Sequence, residues 1–352
     1  MALIAIVAAL VPAAAQAIPN VTYNQTNLVS DIPGLAQQTD PNLKNPWGLA
    51  AGPTSALWVS DNATDVATLY PGATTTKPIS ISSLVVGIPG GAPTGQVFNP
   101  TSGFVVTDGT NSGPAAFLFS SESGNITGWN PTVPPPPPSK MAQPAVHTPG
   151  AIYKGLTMAQ TRDGNSYIYA TDFHNGRIDA FDSKFAPAKL PGHFKDPFVP
   201  KGFAPFGIQA INNKLVVTYA KQDADAEDDV AGRGLGIVDV FSASGCLLHR
   251  FHTGGVLNAP WGIALAPKDF GIFSNKLLIG NFGDGVINAF DPRTGIFVGS
   301  LRDGHGKVIR NEGLWGLRFG NGTTGNANTL LFSDGLNDEE NGLLGSIEVD
   351  TL

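Results

Sequence analysis

Apolar and polar positions alternate along this chain in short bursts, and few stretches keep an apolar period of 3.6. ALWVSD, AFLFSS, YIYATD, KLVVTY, KLLIGN and TLLFSD each read as a half-buried strand bounded by turn residues. A second alternating burst follows each of them: VATLYPG, NITGWNP, RIDAFDS, GIVDVFS, VINAFDP and GSIEVDT. The 43 glycines and 28 prolines fall largely between these bursts, as expected of many short strands joined by turns.

The bursts belong to a repeat. NPWGLAAG from Asn45, APFGIQAI from Ala204, APWGIALA from Ala259 and GLWGLRFG from Gly313 are copies of one segment. PTSGFVVT from Pro100 and IYKGLTMA from Ile152 are weaker copies. The glycines Gly48, Gly103, Gly155, Gly207, Gly262 and Gly316 then stand 52 to 55 residues apart. A less regular fourth strand reads as KPISIS, GCLLHRF and IFVGSL. Four short strands in a unit of ~50 residues predict an all-β fold, a six-bladed β-propeller with four-stranded blades. The last copy stops after its third strand, and TYNQTNLVSD near the start is free to supply the fourth. That pairing would close the ring and remove its free edges.

The stretch YIYATDFHNGRIDAFD resembles the NHL repeat, and the whole chain is similar to NHL and virginiamycin-B-lyase-like propellers. NPWGLA, KQDADAEDDVAGRG and GIVDVF together resemble an uncharacterised family of secreted bacterial propellers, over nearly all of the chain. That resemblance implies a fold and export and carries no assigned activity. Lyase-like propellers place a cation or a His/Glu pair at the axial mouth. For this chain the resemblance implies His174, Glu312, Asp61, Asp172, Asn281 and Asp334 as the eligible residues. The lyase-like repeats carry His beside the inner-strand glycine, where this sequence has Trp47, Phe206, Trp261 and Trp315.

Composition narrows the partners. The net charge of −7 on 352 residues offers no basic field for nucleic acid or an anionic membrane surface. Residues 1–17, MALIAIVAALVPAAAQA, read as a signal peptide without the usual positive start, cleaved before Ile18, and leave 18–352 as one propeller domain. The expected location is therefore extracellular or periplasmic. The apolar run is shorter than the ~20 residues of a membrane span, and no other segment reads as one. Cys246, the single cysteine, allows no internal disulfide and reads as a half-buried strand residue.

In a propeller, the loops that enter the inner strand share a face with those joining the second strand to the third. Asp61, Asn62 and Asp65 fall on that face, with Asp172 and His174, Asn281 and Asp284, and Asp334, Asp338, Glu339 and Glu340. The fourth copy adds KQDADAEDDVAGRG, five acids within seven residues of a chain only 14% charged. Trp47, Trp261 and Trp315 begin inner strands at the same face and form a ligand-facing set with Asp61, Asn62 and Asn281. Two readings of the acidic loop stand. Asp223, Asp225, Glu227 and Asp228 could hold Ca²⁺ or Mg²⁺, although the EF-hand glycine and glutamate are missing. Alternatively the loop is solvated or internally salt-bridged, with Lys221 and Arg233 as neutralisers. A five-proline run at residues 134–138 is expected to form a polyproline II spacer on the opposite face.

The sequence thus points to a binding, recognition or scaffold protein that uses its acidic face on an extracellular small molecule, glycan or protein. The alternative is a metal-dependent lyase or lactonase-like hydrolase at the axial mouth. Its candidate catalytic residues are His174, Glu312, Asp172 and Asp334.

Overall fold

The computed structural model describes residues 21–350. The expected signal peptide and its cleavage point lie outside the described residues. Six sheets are arranged as blades around an axis. Blade one pairs Pro46–Ala50, Leu57–Asp61, Val66–Tyr70 and Val86–Gly87 from the axis outward. Blade two pairs Pro93–Phe98, Phe117–Ser121, Asn125–Trp129 and Gln143–His147, and blade three pairs Tyr153–Gln160, Ser166–Asp172 and Arg177–Asp182. In blade three the fourth place is taken by a short segment in which Pro187 bridges Phe181. Blade four comprises Phe203–Ile211, Lys214–Lys221, Ile237–Ser242 and Leu247–Thr253, and blade five Pro260–Leu265, Leu277–Asn281, Ile287–Phe290 and Phe297–Ser300.

Blade six closes the ring as the sequence predicts. Its strands Leu314–Phe319, Leu330–Leu336 and Asn341–Val349 receive Tyr23–Ser30 as the outer strand, antiparallel, with Tyr23 opposite Val349. Tyr23 is buried there against Phe270 and Phe273 of blade five. Both alternating faces of each blade are covered by neighbouring blades, so the core is a series of apolar layers between sheets.

Four expectations change. The inner strand of blade two is Pro93–Phe98, and its axial glycine is Gly95 in place of Gly103. PTSGFVVT instead contributes Val105–Thr107 to a small hairpin with Ser112–Pro114, inserted after that inner strand. The outer strand of blade one is Val86–Gly87, beyond KPISIS. Residues 134–138 form an exposed run of bends and no polyproline II helix, because the chain must turn back within a few residues so that Ser139 O can accept from Trp129 Nε1. Cys246 is exposed, just before an outer strand.

The glycine of each repeat has one physical reason. A Cβ at Gly48 would lie 2.5 Å from Thr94 O of the next blade, one at Gly155 would lie 2.9 Å from Phe206 O, and one at Gly262 would lie 2.5 Å from Trp315 O. At Gly316 it would meet Trp47 O at 2.5 Å, which brings the series back to blade one. Gly95 and Gly207 stand equally close to the backbones of Leu156 and Trp261. Inner strands converge at the axis, and only a residue without Cβ lets consecutive backbones pass so closely.

Gly316→Ala is therefore expected to lower the unfolding free energy by about 3 kcal/mol or more, read from urea denaturation. Gly304→Ala, whose Cβ would meet only Asp350 Oδ2 at 3.7 Å, should stay within about 0.5 kcal/mol of the parent.

Candidate functional site

Of the residues before the axial glycines, Trp47, Lys154, Phe206, Trp261 and Trp315 gather at the acidic end of the axis, while Thr94 donates to Tyr153 O across the junction with blade three. The aromatic members pack on one another. Trp47 stacks on Trp315 with ring centroids 3.5 Å apart, Phe282 stacks on the other side of Trp315 at 4.1 Å, and Trp261 meets both indoles edge-on. The three indoles are buried, so this end of the axis is closed by an aromatic plug.

Lys154 stands in that plug with its side chain 2% exposed. Its ammonium lies 5.3 Å from the Trp47 ring centroid, donates to Glu122 Oε1 at 2.5 Å and donates to Asp228 Oδ1 at 3.0 Å. Around it the loops of the acidic face are tied together. Glu122 Oε2 accepts from Asn62 Nδ2, Asn62 Oδ1 accepts from Asn45 Nδ2, and that amide also donates to Glu339 Oε2. Asn45 Oδ1 accepts from Trp315 Nε1, while Trp261 Nε1 donates to the carbonyl of Lys154. Every blade contributes at least one group to this knot.

Burial works to pull the Lys154 pKa down, but Glu122 and Asp228 outweigh it and hold the ammonium charged above the usual lysine value. Asp229 sits beside the same cluster with one carboxyl oxygen unpartnered. Burial first, then Glu339 and Asp228, push its pKa up to about 7 against the opposing pull of Lys154. Glu339 is raised as well, chiefly by burial.

The acidic loop owes its shape to its own backbone and to one distant partner. Asp223 N–H donates to Asp228 O, Val230 N–H to Lys221 O, and Glu227 N–H to Asp223 Oδ1. Asp228 then reaches the axis and pairs with Lys154, while its side chain remains 76% exposed. The expected neutralisers Lys221 and Arg233 make no ion pair among the described residues; a lysine from blade three takes that role. The proposed ligands Asp223, Asp225, Glu227 and Asp228 are not gathered: among the described residues no group of three or more His, Cys, Asp or Glu is placed to hold a metal ion.

Of the other sequence candidates only Glu312 and Asp334 lie near enough to interact, the Glu312 charge adding to the effect of burial on the Asp334 carboxyl. His174 is exposed and its ring Nδ1 lies 3.2 Å from Ala226 O on the acidic loop. Glu312 is exposed and accepts from Asn337 N–H. Asp172, Asp334, Asp61 and Asn281 end second strands and are fully buried between blades. Asp172 accepts from Asn175 and Arg177, Asp61 from Thr68 Oγ1, and Asn281 donates to Val256 O. Burial raises the pKa of Asp61 and Asp334 well above the usual carboxylate range. The residues that do converge, Lys154, Glu122, Asn45, Asp229 and Glu339, had one legible signal: IYKGLTMA carries a lysine where four other copies carry an aromatic ring.

A pH dependence follows from Asp229 and from Asp239. The latter is buried in blade four, its pKa pushed up to about 7 by burial and then by Asp196, against Arg250. Unfolded, both acids titrate near ~3.9. The folded chain therefore holds protons that the unfolded chain releases, and this contribution to stability is complete below that value and lost as pH rises through about 7. Thermal midpoints at pH 5 and pH 7.5 should differ less in Asp229→Asn than in the parent. An undiminished difference would remove Asp229 from this role. Lys154→Met should cost about 2 kcal/mol, less than a wholly buried pair because Asp228 is exposed.

The knot and plug can be set beside known proteins. No protein-family model matches the chain. Uncharacterized protein R648 of Acanthamoeba polyphaga mimivirus is 32% identical over 338 residues, covering 93% of this chain and 80% of that protein. Uncharacterized protein L690 of the same virus is 32% identical over 343 residues, covering 94% of this chain and 86% of that protein. These relatives are viral, whereas the sequence motifs pointed to bacterial ones. Among solved structures, a streptogramin B lyase superposes with a TM-score of 0.54 at 12% identity, covering 96% of this chain and all of that one. A PQQ-bound aldose sugar dehydrogenase from Streptomyces coelicolor gives 0.52 at 15% identity, over 94% and 99% of the two chains. At such identities the likeness carries the fold alone. The chain belongs to the family of these mimivirus proteins, and its fold is a six-bladed β-propeller of the virginiamycin-B-lyase type.

Proposed function

We propose that the protein is a recognition module whose acidic face binds a cationic partner, such as a basic segment of another protein. One observation carries this reading. Asp228 anchors the acidic loop to buried Lys154, so that Asp225 and Glu227 are exposed on a tied loop that shares its face with exposed Asp338 and Glu340. None of these four makes an ion pair among the described residues. Their loops are held by the knot, so little ordering entropy opposes binding. The plug closes the axis beneath, which supports a surface that meets its partner broadly. The apolar opening stretch supports an extracellular location for that partner.

A second reading, a lyase or hydrolase at the axial mouth, is favoured by the carboxyl of Asp229, raised to about 7 beside Lys154. Hydrolysis of glucono-1,5-lactone that disappears in Asp229→Asn would make this reading the better one. Calcium or magnesium is a further candidate occupant of the loop. A midpoint that rises when calcium is restored after EDTA, and no longer does so once Asp223, Asp225 and Glu227 are amides, would support an ion there.

The recognition reading is tested by titrating a fluorescent oligolysine peptide. Binding should weaken with added salt, and should weaken about tenfold when Asp225, Glu227 and Glu340 become amides, from ~0.5 kcal/mol for each rim charge. Binding unchanged by those three substitutions would refute it.

A further inference from the structure

The two ends of the axis differ. At the face of the loops joining inner to second strands the axis is open, and a cavity of about 430 Å³ lies between blades one, two, three, four and six. A second cavity of about 310 Å³ adjoins it and shares Leu49, Gln209 and Arg318. From there a narrow passage of about 30 Å³ leads inward past Gly48, Gly95 and Gly316 to Trp261. The larger space lies within the ~300–1,000 Å³ of small-molecule sites.

Arg318 is the single charged residue lining either large cavity. Its one side-chain hydrogen bond among the described residues runs from Nη2 to Ala51 O at 2.9 Å, and it joins no ion pair there. Burial alone draws its pKa below the ordinary arginine value, with no carboxylate to offset the loss of hydration. A guanidinium has five N–H donors in a planar fork matched to carboxylates and other oxyanions. Arg318 is half-buried at the cavity wall with no counter-charge beside it, so the site gains by receiving an anion on that fork.

The remaining polar lining is neutral: Gln96, Thr157, Gln160, Gln209 and Asn213 among others. Gln96 is 7% exposed, donates its amide to Gly48 O and Trp58 O, and leaves Oε1 without a partner. A buried free acceptor calls for a ligand that donates, as a hydroxyl does. Amides and hydroxyls around one arginine describe a molecule with one negative group and several hydroxyls.

We propose that the open end of the axis is a binding site for a small hydroxylated carboxylate of sugar-acid size, with its carboxylate on Arg318 and a hydroxyl donating to Gln96 Oε1. This site is independent of the acidic face, from which it is separated by the aromatic plug.

Calorimetric titration of the full chain with D-glucuronate tests it, with D-glucose, acetate and sulfate as comparison probes. Saturable glucuronate binding is expected, at least tenfold tighter than each of the other three. Arg318→Gln should weaken it at least tenfold, and Gln96→Leu should weaken glucuronate more than acetate. Should Arg318→Gln fail to fold, Arg318→Lys reads the same loss, since lysine cannot reproduce the two-pronged pairing. No glucuronate binding at millimolar concentration would overturn the proposal. So would binding unaltered by either Arg318 variant, or sulfate bound as tightly as glucuronate.

Discussion

Six inner strands meet around one axis, and at the point of closest approach each gives up its side chain. Everything else in the molecule is arranged around that constraint. Because Gly48, Gly95, Gly155, Gly207, Gly262 and Gly316 admit the neighbouring backbone, consecutive blades sit near enough for side chains on the inner and second strands to bond across the junction. Thr171 Oγ1 donates to Phe206 O, Ser333 Oγ to Trp47 O, and Thr94 Oγ1 to Tyr153 O. These bonds satisfy carbonyls that a tightly packed axis would otherwise leave buried and unpaired. The ring closes when Tyr23–Ser30 becomes the outer strand of blade six, so the first and last described strands hold each other.

The same glycines set the direction of the residues before them, and this separates the two ends of the axis. On one side five large side chains are forced together, and stacking of indoles with a buried ammonium is the stable packing of that crowd. Lys154 thus receives three kinds of partner at once: a ring face, two carboxylates and, through its carbonyl, an indole N–H. On the other side the strands have diverged, the side chains no longer meet, and a polar cavity with a single arginine remains.

Charge distribution follows from this division. Acids at the ends of second strands are buried, and burial raises the pKa of their carboxyls, whereas acids farther along the loops reach solvent or the axis. Asp228 and Asp229 are adjacent in the chain yet face different environments: Asp228 is exposed and paired, Asp229 largely buried with a free oxygen. Two carboxyls one peptide apart therefore differ in their surroundings because the loop turns between them.

Strand alternation and the Gly-centred repeat sufficed to read the blade number, the order of strands and the closing strand from sequence. Both are local signals with fixed spacing. The repeat failed in blade two, where a hairpin inserted after the inner strand moved the true glycine to Gly95 and left a plausible imitation at Gly103. The acidic face was legible too, since topology alone assigns each loop to a side. Which residues meet on it was not. His174, Glu312, Asp172 and Asp334 share a face by connectivity, yet only Glu312 and Asp334 come near enough to interact, because loop conformation and strand pleat decide direction. Lys154, Glu122, Asp228, Glu339 and Asn45 are far apart in the chain and come together only where six blades converge. The sequence by itself determined the ring; the tertiary structure decided what fills its centre, because side chains from separate blades become neighbours only after the axis has formed.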